Sequence, residues 1–353
     1  MSSASGTRTR AFPWHTVIIG VLTVGLVAIF LATVNLREAW QAVIHAHPAW
    51  IAAALVVTLQ TYLLRAWRWQ ALLVPIGRAG YRNAFRTTVI GFATTFLLPG
   101  RIGEVLRPYL LARAEGFNPA AVFATVVIER VLDLACVILL FAYFVLTTTV
   151  AVSQQVKVAG AIAGVAAIGG LVVMAVLAGH PERLGRWSGR LARVLPGRAA
   201  EIVSELVKTF TEGLAVMRRP GPMLRSFGLS VLLWLSIALG IWFTSRAFDL
   251  TFAFSGSFLV MMFLVVGVAV PTPAGVGSFH WMYRLAVTGV FHVSPDGAAA
   301  AAIVLHAVSF LPISLLGVLF MAQDGMTLSK LKQMKSTAEA EEHPHPVGGG
   351  AIP

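Results

Sequence analysis

Charged residues and cysteine are scarce in this sequence. Only 12% of its 353 residues are Asp, Glu, Lys or Arg, whereas 57% are hydrophobic. A soluble globular protein carries about 25% charged residues, so this composition excludes a water-soluble globule and indicates that lipid is the solvent. The single cysteine, Cys136, excludes an internal disulfide and lies in an apolar segment, where we expect it to pack.

Acidic residues are scarcer than basic ones, at 15 against 27, which gives a net charge of +12. The basic residues lie in short segments between apolar runs rather than on one soluble face. This is the positive-inside pattern of membrane proteins, so we expect no nucleic-acid partner.

Long apolar runs are abundant and predict an all-α polytopic membrane protein, with a transmembrane region at residues 16–323. Two further runs are interrupted by Pro and Gly. One breaks at Pro99, Gly100 and Arg101, and the other at Pro271 to Gly277, which includes Pro273. The six uninterrupted segments are Thr16–Val34, Trp50–Leu64, Val122–Val150, Val158–Ala178, Phe227–Phe243 and Ala298–Met321.

The distribution of basic residues predicts the topology. Arginines at positions 65–86 and 183–225 should face the cytoplasm, together with the N-terminal tail at 1–15 and the tail at 324–353. This orientation requires the first broken run to be a re-entrant hairpin. The second can be a hairpin or two spans. We therefore expect about six spans plus two hairpins arranged as an inverted repeat, with eight full spans as the alternative.

The two cytoplasmic segments differ in character. Within the loop at 180–225, Leu184, Trp187 and Leu191 share one face of a basic helix, which predicts binding to the surface of anionic membranes, with a solvated loop as the alternative. The final tail lacks periodicity and should be disordered. His343 and His345 there do not make a convincing zinc site, so we predict neither metal nor cofactor.

Ionisable residues inside apolar runs are the first functional candidates, because burying them in a membrane is costly. Arg101, Glu104 and Arg107 follow the first break at three-residue steps, so Glu104 can bridge both arginines. A second group contains Glu129, Arg130 and Asp133, in which two carboxylates and one arginine leave an acidic excess. We expect the arginines to bind a phosphate group; the alternative is a set of structural ion pairs.

The second break contributes Gly275 and Gly277, where the backbone can be approached closely, followed by His280 and Arg284. Both breaks together are expected to form one anion-binding centre near the bilayer midplane. A plain kinked helix is the alternative.

The residues Leu98 to Glu104 with Arg107, and then Glu129 to Asp133, resemble the lysylphosphatidylglycerol synthase transmembrane family of flippase-like proteins. The second break is similar to that family's later Pro-Gly-Gly-x-Gly signature, with Ala274 replacing a glycine. Many relatives carry Glu where this chain has His280.

The resemblance implies lipid translocation. We therefore expect a transporter rather than an enzyme, located in a bacterial inner membrane. Its substrate would be an anionic or lipid-linked headgroup, and a separate cytosolic lipid-modifying enzyme is a candidate partner. The alternatives are a polyprenyl-linked glycosyl- or phosphotransferase and a non-catalytic membrane partner of a synthase.

Overall fold

The computed structural model describes residues 36–98, 101–150, 153–179, 215–270 and 272–325. All regular elements in these ranges are helical, which confirms the all-α class. Short 3-10 turns span Ala215–Arg218 and Pro273–Gly275. The α-helices are α1 (Leu36–His45), α2 (Pro48–Leu73), α3 (Tyr81–Leu97), α4 (Ile102–Glu115), α5 (Pro119–Thr147), α6 (Gln154–Gly179), α7 (Pro220–Ala247), α8 (Gly256–Ala269), α9 (Ser278–Phe291) and α10 (Pro295–Gln323).

Among the described helices, α2, α7 and α10 are long and apolar enough to cross a membrane. Four long helices begin at a proline, whose fixed φ suits the first turn and whose missing N–H costs no hydrogen bond there. These prolines are Pro48, Pro119, Pro220 and Pro295. The predicted segment Thr16–Val34, the basic amphipathic helix and residues 326–353 lie outside the described residues, as do Pro99, Gly100 and Pro271.

The chain contains an internal repeat. In each half a long helix is followed by two shorter helices and a second long helix: α2, α3, α4 and α5 in the first half, and α7, α8, α9 and α10 in the second. Helices α2 and α7 contain 26 and 28 residues, and α3 and α8 contain 17 and 14. Helices α4 and α9 contain 14 residues each, and α5 and α10 contain 29 each. The two sets of described helices therefore share the order long, short, short, long.

Each pair of shorter helices folds into an antiparallel hairpin. In the first, Gly103 on α4 packs so closely on α3 that an added Cβ would lie 1.8 Å from the Gly91 carbonyl oxygen. At the open end of this hairpin, where α3 begins and α4 ends, the Glu115 carboxylate accepts a hydrogen bond from the Gly80 N–H at 2.8 Å. In the second, an added Cβ on Gly267 would meet Met282 at 2.9 Å. Helices of 14–17 residues are about 21–26 Å long, shorter than the roughly 30 Å hydrocarbon core.

The two halves run in opposite directions. Near one end of the α2–α7 pair, Trp50 lies against Trp242, with ring centroids 5.9 Å apart. Near the other, Arg68 donates to the Ser230 hydroxyl at 3.0 Å. Helix α10 packs on α3, and its counterpart α5 packs on α8, so each half contacts the hairpin of the other. This is the arrangement of an inverted repeat. Entry of the hairpins into a bilayer stays a prediction.

Two helices extend beyond the predicted membrane segments into arginine-rich sequence. Helix α2 continues to Leu73 rather than ending at Leu64, so Arg65 and Arg68 belong to the helix and not to a loop. Helix α7 begins at Pro220 rather than Phe227 and therefore contains Arg225. The arginines that cluster near Arg65 and near Arg225 suggested that these segments lie outside the membrane-spanning helices. The Arg68 guanidinium is accommodated in a helix because carboxylates elsewhere in the chain neutralise it.

Candidate functional site

The two helix breaks lie side by side. The Arg101 guanidinium donates a hydrogen bond to the carbonyl oxygen of Val268, which precedes the second break. A cleft of about 140 Å³ opens between them. Its lining consists of Gly91, Phe92, Thr95, Phe96, Arg101, Gly103, Glu104, Arg107, Val126, Arg130, Val268, Thr272, Ala274, Gly275 and Phe310. The predicted proximity of the breaks is therefore confirmed, while their depth in a membrane stays a prediction.

Both breaks hold a non-glycine residue in the left-handed backbone region. Arg101 has a φ of 52° and precedes α4 as its N-cap, and Ala274 has a φ of 52° within the second break. An L-residue pays roughly 1–2 kcal/mol for this conformation. Strain of this kind persists where the surrounding structure fixes it, and it concentrates at binding sites.

The cleft presents two partly open arginines. The side chains of Arg101 and Arg130 are 40% and 44% exposed. Arg101 has Glu104 as a neighbour, with Nη1 and Oε1 3.5 Å apart. Arg130 is 3.9 Å from an Asp133 oxygen, at the limit of an ion pair. Both guanidinium groups therefore keep N–H groups that can donate hydrogen bonds to an anion.

The rest of the lining is mainly apolar and includes three phenylalanines and two threonine hydroxyls. Phe96 and Phe310 pack edge to face, with ring centroids 4.5 Å apart. Phe92 also lines the cleft, as do the small polar side chains of Thr95 and Thr272. An apolar wall with a few convergent polar groups is the usual form of a small-molecule binding site.

Arg107 lies behind the open arginines in a buried ion-pair network. Its two terminal nitrogens donate to the two Glu129 oxygens at 2.8 and 3.2 Å. Its guanidinium also stacks over the Trp69 ring at 3.9 Å. Glu129 in turn lies 3.0 Å from Arg68, and its side chain is fully buried. This bidentate geometry fixes α4 against α5 and α2.

Arg68 is the second anchor of the network. Its guanidinium donates to both oxygens of Asp133, the longer bond measuring 3.3 Å. Asp133 also accepts from the Trp234 indole at 2.8 Å. Trp69 completes the packing by donating to the Thr125 hydroxyl at 3.0 Å. Helices α2, α5 and α7 are therefore joined by one set of buried charges and indoles.

Two details of the sequence interpretation are wrong. Glu104 does not bridge two arginines, because Arg107 pairs with Glu129, and among the described residues Glu104 forms its ion pair with Arg101. The group around Glu129 and Asp133 has no acidic excess, because Arg68 and Arg107 enter it from other helices. Arg107 is only 2% exposed and already paired, so it positions the cleft rather than presenting a free guanidinium.

The residues of the second break divide into two groups. Gly275 lines the cleft, but Gly277, His280 and Arg284 are not among its described lining residues. The His280 Nδ1 accepts from the Gly277 N–H at 3.3 Å, and its ring lies 4.7 Å from that of His306. The His306 Nε2 lies 3.0 Å from the Ala274 carbonyl oxygen, and this hydrogen bond holds the second break against α10. Pro273 belongs to the 3-10 turn.

Arg68 was missed as a site residue. The sequence signal was present, because Arg68 lies between Trp67 and Trp69 and an apolar stretch continues to Leu73. An arginine inside an apolar run is usually paired with another charge or faces a cavity, because burying it alone is costly. Its clustering with Arg65, Arg78 and other arginines masked that signal.

Comparison with known proteins agrees with these features. The family described as the lysylphosphatidylglycerol synthase TM region matches residues 17–317. A UPF0104 membrane protein of Methanothermobacter thermautotrophicus is 22% identical over 335 residues, covering 89% of this chain and 96% of the relative. One from Methanocaldococcus jannaschii is 26% identical over 132 residues, covering 36% of this chain and 39% of the relative. The chain is therefore a membrane protein that belongs to the lysylphosphatidylglycerol synthase transmembrane-region family.

Proposed function

We propose that this protein moves an anionic phospholipid or lipid-linked headgroup across the bilayer and binds the headgroup phosphate in the cleft between the two breaks. The observation that carries the proposal is the pair of partly open arginines, Arg101 and Arg130, in a cleft walled by phenylalanines. Guanidinium groups bind phosphate oxygens with two parallel hydrogen bonds. A lone phosphate in hydrocarbon is strongly disfavoured, so such a site lowers the barrier to crossing.

Each part of the site has a distinct role in this proposal. Arg101 and Arg130 bind the phosphate, and Glu104 orients Arg101. The buried pairs of Glu129 with Arg107 and Arg68 hold the cleft walls in place. The lipid tails stay in the surrounding bilayer while the headgroup enters the cleft.

The inverted repeat supports a transport role. Transporters of this plan place substrate between paired, broken helices and expose the site alternately to each side. Here each hairpin contacts a long helix of the other half, so movement of one half alters the cleft. We further propose that both termini are cytoplasmic, that the membrane is the bacterial inner membrane, and that a separate cytosolic enzyme supplies the modified lipid.

Lipid movement in proteoliposomes tests the proposal. Purified protein is reconstituted with fluorescent phosphatidylglycerol, and the fraction accessible to an impermeant quencher is followed with time. We expect Arg101→Gln and Arg130→Gln to slow movement about tenfold to a hundredfold, since a hydrogen bond to a charged group contributes about 1.5–3 kcal/mol. Full movement in the double variant would overturn the site.

The matched control is Arg113→Gln. Arg113 lies in the last turn of the same helix, α4, and is exposed. It lies outside the cleft lining. This variant should move lipid at the wild-type rate, which separates loss of a cleft arginine from loss of positive charge in general.

A further inference from the structure

An arginine away from the cleft joins the first hairpin to the last helix. From α3, the Arg86 guanidinium donates to the two Asp324 carboxylate oxygens at 2.7 and 3.1 Å and to the Gln323 side chain at 3.1 Å. It also donates to the Phe320 carbonyl oxygen at 3.1 Å and lies 4.7 Å over the Phe320 ring. One side chain therefore holds three residues at the C-terminal end of α10.

This contact lies between the cleft and one end of the molecule. Phe96 and Phe310 bring the same two helices together at the cleft, with ring centroids 4.5 Å apart. From Phe96 to Arg86 is about 15 Å of helix. Within this stretch, an added Cβ on Gly317 would lie 2.2 Å from the Ala93 Cβ. A phosphate can therefore pass between α3 and α10 toward that end only if the two helices separate.

The corresponding contact in the second half is apolar. Counted back from the proline of each break, Phe258 of α8 occupies the position of Arg86. The C-cap of α10 is Asp324, whereas the C-cap of its counterpart α5 is Thr148. Phe258 packs edge to face on Tyr143 of α5, with ring centroids 6.1 Å apart. The inverted repeat thus holds an ion pair at one end and aromatic packing at the other.

The Arg86 contact is within reach of water. Its side chain is 20% exposed, and that of Asp324 is 36% exposed. Water can therefore replace the hydrogen bonds of this pair at a small net cost when the helices separate. The buried pairs of Glu129 lack this property, because water does not reach them.

We propose that Arg86 and Asp324 form a latch that closes the cleft toward the C-terminal end of α10 and releases when a headgroup passes on that side. The inference rests on the proposed function and assigns one contact to the alternate exposure of the cleft. With the latch closed, α3 and α10 stay in contact from the cleft to Phe320. With the latch released, the first hairpin can move away from α10.

Chemical modification of a cysteine in the cleft measures whether the latch is closed. Thr95 lines the cleft, and Thr95→Cys in a Cys136→Ala background provides a single thiol there. An impermeant methanethiosulfonate reagent is added to either side of reconstituted vesicles. We expect Arg86→Gln and Asp324→Asn each to raise the modification rate from the Asp324 side by roughly threefold to tenfold, the effect of losing a bidentate pair partly open to water. The rate from the opposite side should not rise.

Arg82→Gln is the matched control. Arg82 lies one turn before Arg86 on the same helix and is exposed, so this variant removes the same charge without touching the latch. Its modification rate should equal that of the wild-type latch. Arg82→Cys also identifies the membrane side that carries the latch.

Charge reversal tests the pair itself. Asp324→Arg places two like charges together and should raise the modification rate most. Arg86→Glu/Asp324→Arg re-forms an ion pair and should bring the rate back toward that of the wild-type latch. Unchanged rates in Arg86→Gln and Asp324→Asn would overturn the inference, as would a double variant modified as fast as Asp324→Arg. A lower unfolding midpoint in Arg86→Gln with no change in modification rate would identify a purely structural ion pair.

Cross-linking tests the latch without depending on the stability of the charge variants. Arg86→Cys/Asp324→Cys, in the Cys136→Ala background, is treated with a short bifunctional methanethiosulfonate reagent, and lipid movement is measured before treatment, after it and after reduction. We expect movement to stop on cross-linking and to return on reduction. Undiminished movement in the cross-linked protein would overturn the latch. If wild-type protein moves no lipid, the proposed function fails, while modification of Thr95→Cys still decides whether the latch exists.

Discussion

Glu129 is the residue whose loss should most damage the folded state. Its fully buried side chain pairs with Arg107 at 2.8 Å and with Arg68 at 3.0 Å. Glu129→Gln preserves shape but removes the carboxylate that pairs with Arg107 and leaves Arg68 with Asp133 alone. Removing one partner of a buried ion pair costs about 3–5 kcal/mol, because the other charge stays buried and uncompensated.

Glu104→Gln is the matched control, since Glu104 is also a carboxylate paired with arginine. Its side chain is 40% exposed, and its distance to Arg101 is 3.5 Å. Exposed pairs contribute about 0–1 kcal/mol. In detergent, the unfolding midpoint of Glu129→Gln should therefore fall by roughly 6–10 °C, at about 2 °C per kcal/mol, and that of Glu104→Gln by less than about 2 °C.

A double-mutant cycle identifies the cause. Adding Arg107→Gln to Glu129→Gln removes one of the uncompensated charges, so the double variant should be less destabilised than the two single effects added together, with a coupling of about 1 kcal/mol or more. Equal midpoints for Glu129→Gln and Glu104→Gln, or strictly additive effects in the cycle, would refute the reasoning.

Three further predictions concern packing, strain and topology. Gly103→Ala should destabilise the protein strongly, because its Cβ would lie 1.8 Å from a backbone oxygen, whereas Gly228→Ala, with no atom within 4 Å, should unfold at or above the wild-type midpoint. Ala274→Gly should raise the midpoint by relieving left-handed strain at φ 52°, and a lower midpoint would contradict this. In a cysteine-free background of intact cells, an impermeant thiol reagent should label a cysteine at Asp249 but not one at Asp324; the reverse pattern would invert the topology.

Much of the fold is predictable because helix breaks and basic residues act locally. Closely spaced proline and glycine interrupt the two apolar runs, so the breaks near Arg101 and Ala274 are visible in the sequence, whereas the isolated Pro108 and Pro312 lie inside continuous helices. The burial of Cys136 follows from its apolar surroundings and is confirmed.

The ion-pair pattern is less predictable because partners are distant in sequence. Rules for residues three or four apart pair Glu104 with Arg107. In the structure, Arg107 reaches Glu129, which is 22 residues away, and Arg68 reaches Asp133, which is 65 residues away. The packing of α2, α4 and α5 decides these pairs, so the net charge of the buried cluster cannot be derived from either segment alone.

The position of lipid phosphate is the most direct test of the central claim, which is that the cleft between the breaks binds an anionic headgroup. A cryo-electron microscopy structure in nanodiscs of phosphatidylglycerol would measure it. We predict phosphate density within hydrogen-bonding distance of both Arg101 and Arg130, and loss of that density in the Arg101→Gln/Arg130→Gln variant. Phosphate density confined to the two bilayer surfaces, with the cleft empty of lipid, would contradict the account.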